Sequence, residues 1–207
     1  MKQIASLLLL LFPFTLLAQV NHEYGSTFTY DLKNEKHAEL LLVDNYNTHL
    51  FSVTQVDGIM ASHKITIRKF DQKNQLVDTY EQAFQSLDAS TLFNYLGYKS
   101  INNNQAAFFA ESYSGKANKK NIYSYLFDKT SGVFSTELVA SFPIESAMRS
   151  GTTEMKISEN GKYIGLLNKK FATKKDIVED DIIMLDGTSG KQLWKKAIPL
   201  NGHSYEK

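Results

Sequence analysis

The sequence predicts an all-β fold built from repeated four-stranded antiparallel units, on three observations. Thr, Val, Ile, Tyr and Phe recur in short runs separated by Asn, Asp, Gly and Ser clusters, the alternation of strands and turns. Helical periodicity is scarce, and its best stretch, Thr79–Phe93, lacks capping signals at both ends. Two separate landmarks recur along the chain with one shared period.

The first landmark is a hairpin with an Asp at its turn. Ile65–Leu76, Ile122–Val133 and Asp181–Trp194 each run from an apolar strand through an Asp and a polar turn into another strand. The turn residues are Asp71, Asp128 and Asp186, separated by 57 and 58 positions. Asp suits this place because its carboxylate accepts backbone N–H groups of the following residues. Gly132 and Gly190 supply the positive φ that closes such a turn. The second landmark is a strand, polar turn and strand at Val43–Phe51, Ile101–Phe109 and Ile157–Ile164, with offsets of 58 and 56.

Taken in order, the first unit has strands near Glu39–Asp44, His49–Val56, Lys64–Phe70 and Gln75–Phe84. The second has them near Leu92–Ile101, Gln105–Tyr113, Asn121–Phe127 and Val133–Ser141, and the third near Thr153–Ser158, Lys162–Asn168, Asp181–Leu185 and Lys191–Ile198. The units fall near 33–90, 91–148 and 149–203. Polar segments Ser114–Lys120 and Lys169–Asp180 join second to third strands. Antiparallel hairpins in a fixed period predict β-propeller blades. A β-sandwich with similar hairpins is the alternative. The long middle loops explain a unit longer than the ~40–50 residues of common blades. Closed rings use about four to eight blades, so three make an incomplete ring. The domain over 19–207 is therefore expected to be the N-terminal part of a longer propeller. Thr27–Tyr30 would give a strand to the closing blade, and Asn201–Lys207 would lead into the next.

The third unit resembles a known family. Asp186-Gly-Thr-Ser189-Gly190-Lys191-Gln-Leu-Trp194 resembles the tryptophan-docking motif of quinoprotein-like propellers, with Ser189 for the usual Thr and Met184 for the Ala two places before the Asp. Ser158-Glu-Asn-Gly161-Lys162 resembles the strand turn of WD40-like propeller repeats. The resemblance covers residues 153–200. Asp128-Lys-Thr-Ser131-Gly132 keeps half the motif, and Asp71-Gln-Lys-Asn-Gln lacks its Gly. It implies that Asp71, Asp128, Gly132, Asp186, Gly190, Lys191 and Trp194 are structural and dock one blade onto the next. It implies a fold and no quinone.

Met1–Ala18 reads as a secretory signal peptide: Lys2 gives the positive start, Ile4–Leu17 is a 14-residue apolar run, and Ala18 suits cleavage before Gln19. The run is short of the ~20 residues of a membrane span, and Pro13 interrupts it. An uncleaved N-terminal anchor is the alternative. Leu16-Leu17-Ala18 resembles the start of a bacterial lipoprotein box, but Gln19 stands where the lipidated Cys is required, so no lipid anchor is expected. No later stretch approaches spanning length. The mature chain is expected in the periplasm, at the cell surface or secreted. Cleavage removes Lys2 and no acid, leaving 22 basic (23 minus one) against 22 acidic residues.

Composition removes several functions. Zero Cys excludes thiolate zinc sites, cysteine nucleophiles and iron–sulfur clusters. A net charge of +1 gives no electrostatic case for nucleic acid. The five His show no metal-pair spacing, although His49 and His63 share the first unit. Glu179-Asp180-Asp181 lacks the alternation and central Gly of a calcium loop and reads as a solvated loop end. No Gly-x-Ser-x-Gly elbow or phosphate-cradling loop occurs. Lys116–Lys120, Lys169-Lys170 and Lys174-Lys175 read as charged loops, with anionic glycans or lipid phosphates as the sharper reading. Tyr95, Tyr98, Tyr113, Tyr123 and Tyr125 read as core. The expectation is an exported, non-enzymatic binding or scaffold module without a cofactor, its partner a protein or glycan. The alternative is the propeller portion of an exported enzyme, a quinoprotein dehydrogenase or propeller-gated peptidase, with its catalytic residues outside this chain.

Overall fold

Twelve strands are described, joined by short turns at one end and longer connections at the other. The structure is a computed structural model that describes the backbone of residues 38–46, 49–56, 63–170 and 178–200 and the side chains of 63–170 and 179–199. Ala18, Gln19, Thr27–Tyr30, Lys174 and Lys175 lie outside the described residues. In order the strands are β1 (Ala38–Tyr46), β2 (His49–Val56), β3 (Lys64–Phe70), β4 (Leu76–Ala83), β5 (Leu92–Asn102) and β6 (Gln105–Ser114). They continue with β7 (Lys119–Asp128), β8 (Val133–Pro143), β9 (Thr152–Ile157), β10 (Tyr163–Lys169), β11 (Val178–Asp186) and β12 (Gln192–Leu200). One 3₁₀ turn, Ala147–Arg149, precedes β9.

Consecutive strands pair antiparallel into three four-stranded sheets, β1-β2-β3-β4, β5-β6-β7-β8 and β9-β10-β11-β12. The described strands form propeller-type blades and no closed barrel. Thr79–Phe93 is divided between β4, a turn and β5. Two strands start two or three residues earlier than the residue pattern indicates. β7 begins at Lys119, which pairs with Ser114 and Pro143, and β11 begins at Val178, which pairs with Leu200. A ladder needs backbone N–H and C=O groups, and lysine or glutamate supplies them as well as valine.

Strand alternation places the core. In β6, Ala106, Phe108 and Ala110 pack with Ile65, Ile67 and Phe84 of the first sheet and Tyr125 and Phe127 of their own. Their neighbours Ala107 and Phe109 pack the other way, with Ile122 and Phe142 and with Ile164, Leu166, Ile183 and Leu185 of the third sheet. The middle sheet is thus buried on both faces. This explains why β6 reads as a nearly unbroken apolar run and not as an alternation. Each fully buried Phe or Ile contributes about 1.5–3 kcal/mol of transfer free energy.

The same stacking gathers the connections. At the long-connection end, Ile144 N–H donates to Asn118 C=O at 3.2 Å, and the Ser114 hydroxyl donates to Asp88 at 2.6 Å. At the short-turn end, Lys129 N–H donates to Asn104 C=O at 2.8 Å and Gly187 N–H to Lys162 C=O at 2.7 Å. Among the described residues, no helix is long and apolar enough to cross a membrane.

Candidate functional site

The recurring Asp residues all sit where a sheet's third strand turns into its fourth. Asp186 Oδ1 accepts the N–H groups of Thr188 (3.0 Å) and Ser189 (2.8 Å) and both hydroxyls, at 2.6 and 2.9 Å. Gly190, at φ +71°, donates its N–H to the Asp186 carbonyl at 2.8 Å. The Asp128 turn repeats this: Oδ1 accepts from Thr130 N–H (2.9 Å), Ser131 N–H (2.8 Å) and the Ser131 hydroxyl (3.1 Å), and Gly132 closes it at φ +71°. Hydrogen bonds to a carboxylate favour the charged form. The Thr188 and Ser189 hydroxyls, with the two N–H groups, hold the Asp186 carboxyl down at about 2. Asp128 is lowered chiefly by the Ser131 N–H.

Asp71 accepts from Lys73 N–H and Gln75 N–H, each at 2.8 Å. The glycine missing from this copy is replaced by Asn74 at φ +56°, three residues after the Asp where Gly132 and Gly190 stand four after theirs. Asn is among the few non-glycine residues that accept this conformation. Asn after a turn Asp was the available signal, and a search for glycine overlooks it.

Trp194 stands opposite Met184 in the β11–β12 ladder. Its neighbour Lys195 reaches back to the middle sheet, 4.2 Å from the Phe142 ring. Trp194 therefore faces away from that sheet, and it is 45% exposed. Lys191 is exposed, and its carbonyl accepts the Asp186 N–H at 2.8 Å.

Two further clusters come from the tertiary arrangement. The first is a depression of about 650 Å³, open to solvent and lined by Asn102, Asn103, Asn104, Gln105 and Asp128. The β6–β7 register sets Gln105 opposite Asp128, and the Lys129–Asn104 hydrogen bond ties the two turns together. Asn102 is committed to its own turn: Oδ1 accepts Asn104 N–H at 2.8 Å, and Nδ2 donates to Gln105 Oε1 at 3.2 Å. The signal in the sequence was the amide run itself, but Asp128, 23 positions after Gln105, joins it only through the hairpin.

The second cluster is a polar layer between the middle and third sheets. Lys120 Nζ lies 3.7 Å from Glu111 Oε2, and both side chains are buried. Asn94 Nδ2 donates to Glu111 Oε1 at 3.2 Å. Desolvation pulls the Lys120 ammonium below the ordinary lysine value, and Glu111 opposes that pull. Thr153, Asn168 and Asp181 pair across the third sheet at the end equivalent to Glu111 and Lys120, on the face that carries Leu166 and Ile183 toward the middle sheet. Thr153 Oγ1 and Asn168 Oδ1 are buried without a hydrogen-bond partner.

Two sequence readings are corrected here. Asp180 and Asp181 are no solvated loop end, since they lie in β11 at 4% and 6% exposure. Asp180 accepts Lys170 N–H at 3.1 Å, and Asp181 pairs with Lys170 at 3.3 Å. Lys120 is no loop charge but a buried one. In both cases the neighbouring sheet covers residues that local composition marks as solvated. His49 and His63 also fail to meet: the β2–β3 register runs from Leu50–Phe70 to Val56–Lys64, setting them at opposite ends of the sheet. His63 stacks instead on Phe93, ring centroids 4.6 Å apart. Tyr125 is fully buried, and Tyr95, Tyr98 and Tyr123 pack against the same core. Among the described residues, no group of three or more His, Asp and Glu is placed to hold a metal.

No protein-family model and no curated protein sequence matches the chain. Among solved structures it is similar to the β-propeller domain of the Trilobed protease from Pyrococcus furiosus, at 12% identity and TM-score 0.40, over 81% of this chain and 45% of that one. It is similar also to the Vanderwaltozyma polyspora Nup133 β-propeller domain (9%, TM-score 0.42, 85% and 51%). A prolyl endopeptidase structure gives 12%, TM-score 0.42, 79% and 21%. The chain spans about half or less of the length of these structures.

Proposed function

We propose that these blades form an exported binding or scaffold module that offers its turns and loops to a protein or glycan and carries no catalytic centre of its own. The observation that carries this reading is how the reactive side chains are employed. Asp128 and Asp186 each hold their own turns through Oδ1, and Glu111 and Lys120 are buried between sheets. At the short-turn end of the middle sheet, one depression is lined by four carboxamides and Asp128. Export rests on Met1–Ala18, and freedom from a lipid anchor on Gln19. The outward-facing Trp194 supports continuation of the stack into a further blade.

The test is expression of the full chain in a Gram-negative host, followed by fractionation and N-terminal sequencing. The expected product starts at Gln19 and is found in the periplasm or medium. A cytoplasmic product that keeps Met1 overturns export. Turnover of a prolyl-peptide reporter, or of an alcohol with a dye acceptor, by the purified chain overturns the non-enzymatic reading in favour of an enzyme portion.

A further inference from the structure

We propose that the carboxamide-lined depression at the short-turn end of the middle sheet is a saccharide site, taking a neutral polyhydroxylated ligand. This rests on the reading of the chain as a binding module and names its ligand class.

The third sheet provides an internal control. Its two short turns are built as those of the middle sheet are. Gly187 N–H holds Lys162 C=O as Lys129 N–H holds Asn104 C=O, and Asp186 gathers its turn as Asp128 does. Yet its hairpin tip reads Asn160-Gly161-Lys162-Tyr163, where the middle sheet has Asn102-Asn103-Asn104-Gln105, so only the first amide, which accepts the N–H two residues on in both turns, is shared. The same backbone lock forms with either tip. The fold therefore does not demand a run of amides, and their concentration around one depression asks for a chemical reason.

That reason is hydroxyl recognition. A carboxamide sets two N–H donors beside a carbonyl acceptor, which matches groups that both donate and accept. Asn102 is used up in the turn, and the side chains of Asn103 and Asn104 have no partner among the described residues. Gln105 keeps its Nε2 donors after its Oε1 accepts from Asn102. The turn bonds of Asp128 all fall on Oδ1, which leaves Oδ2 as a charged acceptor. Val133, opposite Asp128 in the β7–β8 ladder and 60% exposed, adds an apolar surface for ring C–H groups. The volume of about 650 Å³ falls within the roughly 300–1,000 Å³ of small-molecule sites. The locked turns reduce the ordering cost of binding. Other ligands fit less well. Asp128 repels anions, and one carboxylate supplies little of the charge by which calcium sites gain affinity.

The full mature chain, ¹⁵N-labelled, is titrated with cellotriose, mannotriose, maltotriose and tri-N-acetylchitotriose, each at millimolar concentration, with calcium chloride and a sulfated heparin trisaccharide as separate arms. At least one neutral trisaccharide is expected to give saturable amide shifts confined to Asn102–Gln105 and Lys129–Val133. Asn103→Ala with Gln105→Ala removes two side-chain partners and leaves the backbone lock. It is expected to weaken that binding about tenfold with an unchanged unfolding temperature. Four silent neutral trisaccharides, shifts elsewhere, shifts with calcium or the sulfated sugar alone, or undiminished binding by the double variant would each overturn the proposal. N-terminal processing at Gln19 is independent of all these outcomes, so the module reading and the saccharide site fail separately.

Discussion

Consecutive residues of β6 look into two contacts of opposite character. Phe108 faces the first sheet across an aromatic contact, where Phe84 and Tyr125 rings lie 5.5 Å apart, Tyr80 and Phe127 5.3 Å, and Phe127 and Phe134 4.8 Å. Two polar groups along that contact are bonded across it, while Asn121 Oδ1, opposite Ser112, is buried without a partner. Gln85 N–H donates to the Tyr125 hydroxyl at 2.8 Å, and the Ser112 hydroxyl donates to Gln85 C=O at 2.6 Å. Burial pushes the Tyr125 hydroxyl up to about 12, so it stays neutral. Phe109 faces the third sheet across aliphatic side chains, and that contact ends in the Glu111–Lys120 layer with unpartnered atoms on both sides. One repeat pattern thus makes a neutral, aromatic contact and a charged one. The charged contact gives up stability, because desolvating an ion pair offsets most of its attraction.

The largest test of that contrast removes one charge. Glu111→Leu leaves Lys120 buried without its partner and is expected to cost about 3–5 kcal/mol in urea unfolding. Adding Lys120→Met should restore or exceed wild-type stability; a double variant as weak as the single would mean that the layer stabilises the contact. Next come two glycines with identical φ. A Cβ on Gly132 would collide with the Tyr80 ring of the first sheet, whereas nothing lies within 4 Å of one on Gly190. Gly132→Ala is expected to cost about 2–4 kcal/mol, left-handed strain plus overpacking, and Gly190→Ala about 1–2, the strain alone. Equal costs would break the distinction between a turn packed under its neighbour and one standing free.

On the aromatic side, Phe108→Leu keeps an apolar side chain but loses the Tyr98 ring pair at 5.2 Å, for an expected loss of about 1–2 kcal/mol. The smallest effect is on pH dependence. The carboxyl of Asp186 titrates at about 2 when folded, below the ordinary ~3.9. Its contribution is complete above pH ~4 and fades as pH falls toward 2. Asp186→Asn should lower stability slightly at neutral pH and flatten that acid limb, so that variant and wild type converge toward pH 2; an unchanged limb would show that the turn's hydrogen bonds do not favour the ionised form.

Much of the fold was legible. The Asp turns were visible because their chemistry is local: one carboxylate, two or three following N–H groups and a residue tolerant of positive φ. Asn74 escaped only because glycine was the residue sought. The depression was half visible, as an amide run without its Asp128. Lys120, Asp180 and Asp181 were misread because charge patterning reports the residue's own neighbourhood in the chain, whereas burial is imposed by strands far along it.

The amino-acid order alone settles where the strands run, where they turn and at what period, since alternation and turn chemistry act within a few residues. Only the stacked structure decides which face of β6 meets which neighbour, and that Lys120 is covered while Trp194 looks outward. It also decides that four amides and one carboxylate share a depression. Those outcomes depend on contacts between sheets, where the same backbone ladder accepts an aromatic, an aliphatic or a charged surface and the neighbour determines the energy.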